Sequence, residues 1–83
     1  MWKEGIFDIE EYAFLWEAKV YDEGSIYGID CGRISKLLVK RVNRLVNTLD
    51  DITTVIHYDR GWDIRPTDDI DKVALKYLLD LFK

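Results

Sequence analysis

Apolar and polar residues alternate from residue 12 to residue 21. Tyr12, Phe14, Trp16, Ala18 and Val20 form a wholly apolar row, and Ala13, Leu15, Glu17, Lys19 and Tyr21 between them turn polar as the stretch proceeds. A period of two puts the rows on opposite faces of a strand, one buried and the other partly wet. Asp22-Glu23-Gly24-Ser25 follows, a cluster of turn formers in which Gly24 can take a positive φ. Ser25 to Asp30 then reads as a returning strand that completes a hairpin. Upstream, Trp2 to Ile9 reads as an edge strand weakened by Gly5. Ile52 to Tyr58, rich in β-branched residues, predicts another strand.

Near the C-terminus the period becomes helical. Pro66 precedes Thr67, an apt N-cap, and Asp68, Asp69 and Asp71 crowd the first turn, where the helix dipole favours negative charge. Asp68 and Lys72 stand four apart in the favourable order. Ile70, Val73, Ala74, Tyr77, Leu78 and Leu81 recur at helical spacing, so a helix over 67–82 is expected to bury that face. Residues 33–49 leave two readings. Ile34, Leu37, Leu38, Val42, Leu45, Val46 and Leu49 fit one helix face, whereas the same stretch alternates poorly as a strand, so the local pattern favours a second helix over a further strand. Both readings give an α+β class: a small antiparallel sheet of three to five strands covered by a C-terminal helix. Short turns between the early strands argue against a parallel sheet.

The 83 residues correspond to a single domain, 1–83. At 48% hydrophobic residues, the chain has enough apolar surface to fold rather than stay disordered. Cys31 is the only cysteine, which excludes an internal disulfide and a four-thiolate metal site. The first residues lack the basic-then-apolar pattern of a signal peptide. The longest apolar run, Tyr12 to Trp16, is far short of the ~20 residues of a membrane span. A cytoplasmic protein with no membrane association is the expectation. The net charge of −4 is unevenly spread: residues 33–47 hold Arg33, Lys36, Lys40, Arg41 and Arg44 and no acid, inside an otherwise acidic chain. Such a segment pairs with the acids around it or faces an anionic partner.

No catalytic constellation stands out, and no enzymatic activity or cofactor is expected. His57, the only histidine, shares a strand face with Asp59 and Val55 and reads as a hydrogen-bonded structural residue. Cys31 lies beside Asp30, whose charge would raise a thiol pKa, and reads as a small buried residue. Gly28-Ile29-Asp30-Cys31-Gly32-Arg33 is a tight loop ending in a cation, without a phosphate-binding fingerprint. The most informative stretch is Tyr58-Asp59-Arg60-Gly61-Trp62-Asp63, in which two acids bracket an Arg that could stack on Trp62. Asp59, Arg60, Trp62 and Asp63, with Tyr27 and Arg33, are therefore the candidate binding residues; no metal site is expected.

That hexapeptide, with Glu23-Gly24-Ser25-Ile26-Tyr27-Gly28-Ile29 and Gly32-Arg33-Ile34-Ser35-Lys36-Leu37, resembles a family of short uncharacterised proteins of Gram-positive bacteriophages and mobile elements. The resemblance covers roughly residues 12–66. It implies that the segment after Leu37 runs as a strand into a hairpin ending at Trp62, although residues 42–52 are longer than the family's pattern. It also implies a phage or mobile-element origin, and no activity. The expected function is that of a small interaction protein, a phage-encoded inhibitor or modulator of a host defence protein. The alternative is a nucleic-acid or nucleotide-binding module using the basic segment 33–44, with Tyr27 or Trp62 for stacking. A host protein is the first expected partner, nucleic acid the second, and a second copy of the chain a further candidate.

Overall fold

The alternating stretch becomes an inner strand of the sheet. The computed structural model describes residues 1–46 and 52–83. In it, β1 (Trp2–Ile9), β2 (Tyr12–Val20), β3 (Ile34–Asn43), β4 (Thr53–Asp59) and the short β5 (Trp62–Ile64) precede a single helix, α1 (Asp69–Leu81). Every neighbouring pair is antiparallel, and the strands lie in chain order across the sheet. The fold is thus the expected α+β arrangement. Between β1 and β2 the chain turns at Glu10 and Glu11, with Glu10 in the left-handed region at φ 54°.

One face of this sheet is the core. Phe7 lies opposite Phe14 with ring centroids 5.4 Å apart, and Gly5 lies opposite Trp16. A Cβ on Gly5 would come within 3.0 Å of the indole, so the glycine that weakens the strand in isolation makes room for a cross-strand ring. Phe14, Ala18, Leu37, Val39 and Ile56 are almost wholly buried in one cluster with Ala74 and Leu78 of α1. Phe7 packs on Tyr77 at 4.5 Å and Trp16 on Phe82 at 5.5 Å, so the helix also covers the β1–β2 side.

Several expectations need correction. The segment from Ile34 to Asn43 is a strand, not a helix, as the family resemblance implied; positions 47–49 of the ambiguous stretch lie outside the described residues. The helical look has a physical origin. Lys19 pairs with Lys36 but Val20 pairs with Ile34, so Ser35 is an extra residue in the ladder, and Ile34 and Leu37, three apart, both face the core. Further along, Arg41 takes a core-side position while Leu38 and Val42 take outward ones, which blurs the alternation.

Residues 25–30 form no strand. They belong to a loop closed by short-range bonds from Gly28 N–H to the Ser25 carbonyl and from Cys31 N–H to the Gly28 carbonyl, with one 3-10 turn at Ile29–Cys31. A Cβ on Gly28 would sit 2.0 Å from the Gly32 carbonyl oxygen, so only glycine permits this crossing. Ile29 plugs the core, the Tyr58 hydroxyl donates to the Tyr27 carbonyl at 2.8 Å, and Cys31 is exposed rather than buried. Gly24 does not take the positive φ expected of it; Asp30 and Cys31 do.

The helix begins later and is rotated relative to its apolar stripe. Asp68, not Thr67, is the N-cap, and the buried positions are Asp71, Ala74 and Leu78, flanked by Ile70, Leu75, Leu79 and Phe82. Val73, Tyr77 and Leu81 are about half exposed, at 54%, 47% and 52%. The rotation follows from an ion pair. Arg41, on the covered face of β3, donates to both oxygens of Asp71 at 2.9 and 3.0 Å and to Asp68 at 3.2 Å, with its guanidinium 4.9 Å from the Tyr12 ring centre. Burial raises the Asp71 carboxyl above its ordinary pKa, and the attraction of Arg41 offsets only part of this. For Arg41 burial pulls downward, but hydrogen bonding to Asp68 and the charge of Asp71 outweigh it and hold the guanidinium protonated.

Two expected outcomes separate the observed helix face from its apolar stripe. Leu78→Asp places a charge in a fully buried site and removes several kcal/mol from a total of about 5–10, enough to abolish cooperative thermal melting. Val73→Asp, on the exposed side, shifts stability by no more than about 0.5 kcal/mol. A further outcome concerns pH. A carboxyl whose native pKa lies above its unfolded value binds protons on folding, so its contribution to stability falls as the pH climbs through and just above the ordinary carboxylate range. Urea unfolding at a series of pH values should show that Asp71→Asn removes this downward slope.

Candidate binding surface

A sheet covered by one helix on one side leaves its other side open. The outward positions of β1 to β4 form rows across the strands. Trp2, Lys19, Lys36 and Asp59 make one row, Glu4, Glu17, Leu38 and His57 the next, and Ile6, Leu15, Lys40 and Thr54 the third. Ile64 of β5 extends the second row. Trp2, Ile6, Leu15 and Ile64 are exposed large apolar residues, and Ile6 is 69% exposed. A groove of about 690 Å³ runs between Glu4, Ile6, Leu15, Glu17, Leu38 and Lys40.

Where β2 runs into the 21–33 loop, the same face becomes cationic. A second cavity, about 430 Å³, is lined by Lys19, Tyr21, Ser25, Tyr27, Ser35, Lys36 and Arg60. Lys19 sits 5.5 Å from the centre of the Tyr21 ring, and hydrogen bonding to its ammonium is the main influence that lowers the Tyr21 pKa. Ser25 Oγ accepts the Tyr27 N–H at 3.2 Å, and the Ser35 hydroxyl is directed to the Lys19 carbonyl at 3.5 Å.

The residues singled out from the sequence are dispersed. Arg60 and Tyr27 meet in the cationic cavity, with Asp59 beside them, 3.8 Å from Lys36 and 3.5 Å from the Arg60 Nε. Arg60 holds a left-handed φ of 56°, and its N–H donates to the Ser35 carbonyl at 2.9 Å, which ties the turn to β3. Trp62 is elsewhere. It lies opposite Tyr58, packs edge-on against that ring at 5.1 Å on the core side, and is capped at 5.2 Å by Arg65 rather than by Arg60. The expected Arg60–Trp62 stack is absent because the turn sends the two side chains apart. Asp63 contacts His57 Nδ1 at 3.1 Å, so Asp63 and not Asp59 is the histidine's carboxylate neighbour. Arg33 is a tie between chain segments: Nε donates to the Tyr21 carbonyl at 2.8 Å and Nη1 to the Lys83 carbonyl at 3.1 Å.

The basic segment does not form a continuous stripe. Arg41 is held under the helix, Arg44 pairs with Asp8 at 3.6 Å, and Lys36 and Lys40 reach the open face. Sequence reasoning missed Lys19 and Tyr21 and grouped Lys36 with the basic segment rather than with them. The alternation placed Lys19 on the outer face, but its partner across the strands depends on a register that no local pattern carries. Among the described residues, no group of three or more His, Cys, Asp or Glu side chains could hold a metal, and no helix is long and apolar enough to cross a membrane.

Residues 1–83 match the family model of DUF7678, a domain of unknown function, and the chain belongs to that family. No curated protein and no solved structure matches it.

The Arg60 turn yields a direct test of what that side chain does. Left-handed backbone costs a non-glycine residue about 1 kcal/mol or more, and the Arg60 side chain is 67% exposed. Arg60→Gly should leave the melting temperature unchanged or raise it by a few degrees. A fall instead would mean that the guanidinium holds the turn.

Proposed function

We propose that this protein is a non-enzymatic binding protein that holds a partner protein against the uncovered face of its sheet. The observation that carries this reading is the apolar content of that face: Ile6, Leu15 and Leu38 line the groove, and Trp2 and Ile64 stand exposed elsewhere on the same face. The open side of a one-sheet, one-helix domain is ordinarily polar, and clustered apolar residues there with charges at the rim mark an interaction surface. Trp2 supplies the kind of aromatic anchor on which binding energy concentrates, and Glu4, Glu17 and Lys40 supply rim charges that select a partner. The resemblance to phage and mobile-element proteins points to a host protein as the partner and, in its finer form, to inhibition of a host defence system. β3 divides the basic segment between the two faces, and this supports a nucleic-acid stripe along 33–44 less well.

The test uses the wild-type chain and three variants as bait in a lysate of a Gram-positive host. A protein retained by the wild type should be lost on Ile6→Lys and on Leu15→Glu, with affinity reduced about 30-fold or more, and kept on the helix-side variant Val73→Glu. Retention by all variants alike overturns the assignment of the face. Self-association of the purified chain that Ile6→Lys abolishes would identify a second copy as the occupant and overturn the host-protein reading.

A further inference from the structure

We propose that the cationic cavity at the end of the open face binds a nucleotide, with its phosphate between Lys19, Lys36 and Arg60 and its base against Tyr27. Several features of the cavity are unfavourable for the empty protein and favourable for an anion. Lys19 and Lys36 are directly opposite each other on adjacent strands, a like-charge pairing that destabilises a sheet. Arg60 adds a third cation from a left-handed backbone position, and such strained conformations concentrate where a side chain must be aimed. Asp59 is the one carboxylate paired with any of the three among the described residues; it touches Lys36 and the Arg60 Nε and leaves the terminal guanidinium nitrogens available. Three cations against one acid, on a chain whose net charge is −4, form a local field of opposite sign to the whole molecule.

The rest of the lining specifies more than a bare anion. Ser25 uses its oxygen to accept from Tyr27, so its proton is free to donate into the cavity. The Tyr21 ring is already occupied by Lys19, whereas Tyr27 is 58% exposed and presents an unoccupied aromatic face. Its backbone is fixed by the Tyr58 hydroxyl at 2.8 Å, so the loop that presents the ring is anchored to the core. About 430 Å³ lies within the ordinary range of small-molecule sites, roughly 300–1,000 Å³. Cations at one wall and an anchored ring at another match the two ends of a nucleoside phosphate.

The test is a titration of the isotope-labelled chain, followed by amide chemical shifts, with a nucleoside triphosphate, the matching monophosphate, the uncharged nucleoside and inorganic phosphate. Saturable shifts are expected at Tyr27, Ser35, Lys36 and Arg60, tighter for the triphosphate than for the monophosphate and weakened by salt. Lys36→Gln and Arg60→Gln should each weaken nucleotide binding about tenfold or more. Tyr27→Ala should weaken the nucleotide by a similar factor and leave inorganic phosphate unchanged. Arg60→Gly, the variant that relieves the backbone, should lose affinity without losing stability. Absence of saturable shifts at the cavity with every phosphate compound overturns the proposal. So does equal affinity for nucleotide and inorganic phosphate, which would reduce the site to an anion contact without a base.

Discussion

Arg41 projects from β3 into the covered side of the sheet, where its neighbours are Tyr12, the apolar cluster and the first turn of α1. A guanidinium in that position is tolerated only with an acid brought to it, and Asp71, 2% exposed, is that acid. The pair need not add net stability over two apolar residues; its effect is to leave few alternatives. Once Asp71 must face Arg41, the rotation of α1 about its axis is set, and Ala74 and Leu78, on the same stripe, become the contact with the sheet. Val73 and Leu81 are turned to solvent although they are as apolar as the residues that replace them. Asp68 serves both as helix N-cap and as second carboxylate for Arg41, so the start of the helix and the ion pair are one feature.

The division of the sheet into two faces follows. One helix of thirteen residues can cover one side, and among the described residues the meander offers no second layer for the other. What remains open is unusual in composition: exposed apolar residues, a cationic end, two like-charge pairs across strands (Lys19–Lys36 and Glu4–Glu17) and an arginine in left-handed backbone. Each of these costs stability in a domain that has little to spare. Local features that disagree with the global fold collect where a protein binds something. The apolar groove and the cationic cavity share this face but draw on different residues, Ile6 and Leu15 for one and Lys19, Lys36 and Arg60 for the other.

Residues 12–20 were legible because a strand with one buried face writes its period directly into the chain, the C-terminal helix was legible for the same reason, and 52–58 was legible from its β-branched residues. The α+β class followed from these elements without any knowledge of their contacts. The segment after Ile34 was misread because a bulge at Ser35 and an inward arginine at position 41 disguise a strand as a helix, and both exist only relative to neighbouring strands. The loop at 25–30 was misread because the cluster around Gly24 was taken as the turn of a hairpin, whereas Gly28 serves a close crossing of the backbone over Gly32. Of the candidate site, Arg60 and Tyr27 were found from residue type alone. Lys36 was singled out only as part of the basic segment and Lys19 not at all, since seventeen positions separate them and only register makes them neighbours.

By itself, then, the sequence determined the class, the alternation of β2, and the presence of a helix at the end of the described chain. These depend on periods of two and 3.6 residues, which are local properties. Which apolar residues the helix buries, which face of the sheet stays open, and which cations share a cavity were decided by tertiary structure. Each of those outcomes rests on a contact between distant residues: Arg41 with Asp71, Ile34 and Lys36 with the end of β2, Tyr27 with Tyr58. A charge that must find its partner, or a ladder that must absorb an extra residue, is resolved only when the chain has folded back on itself.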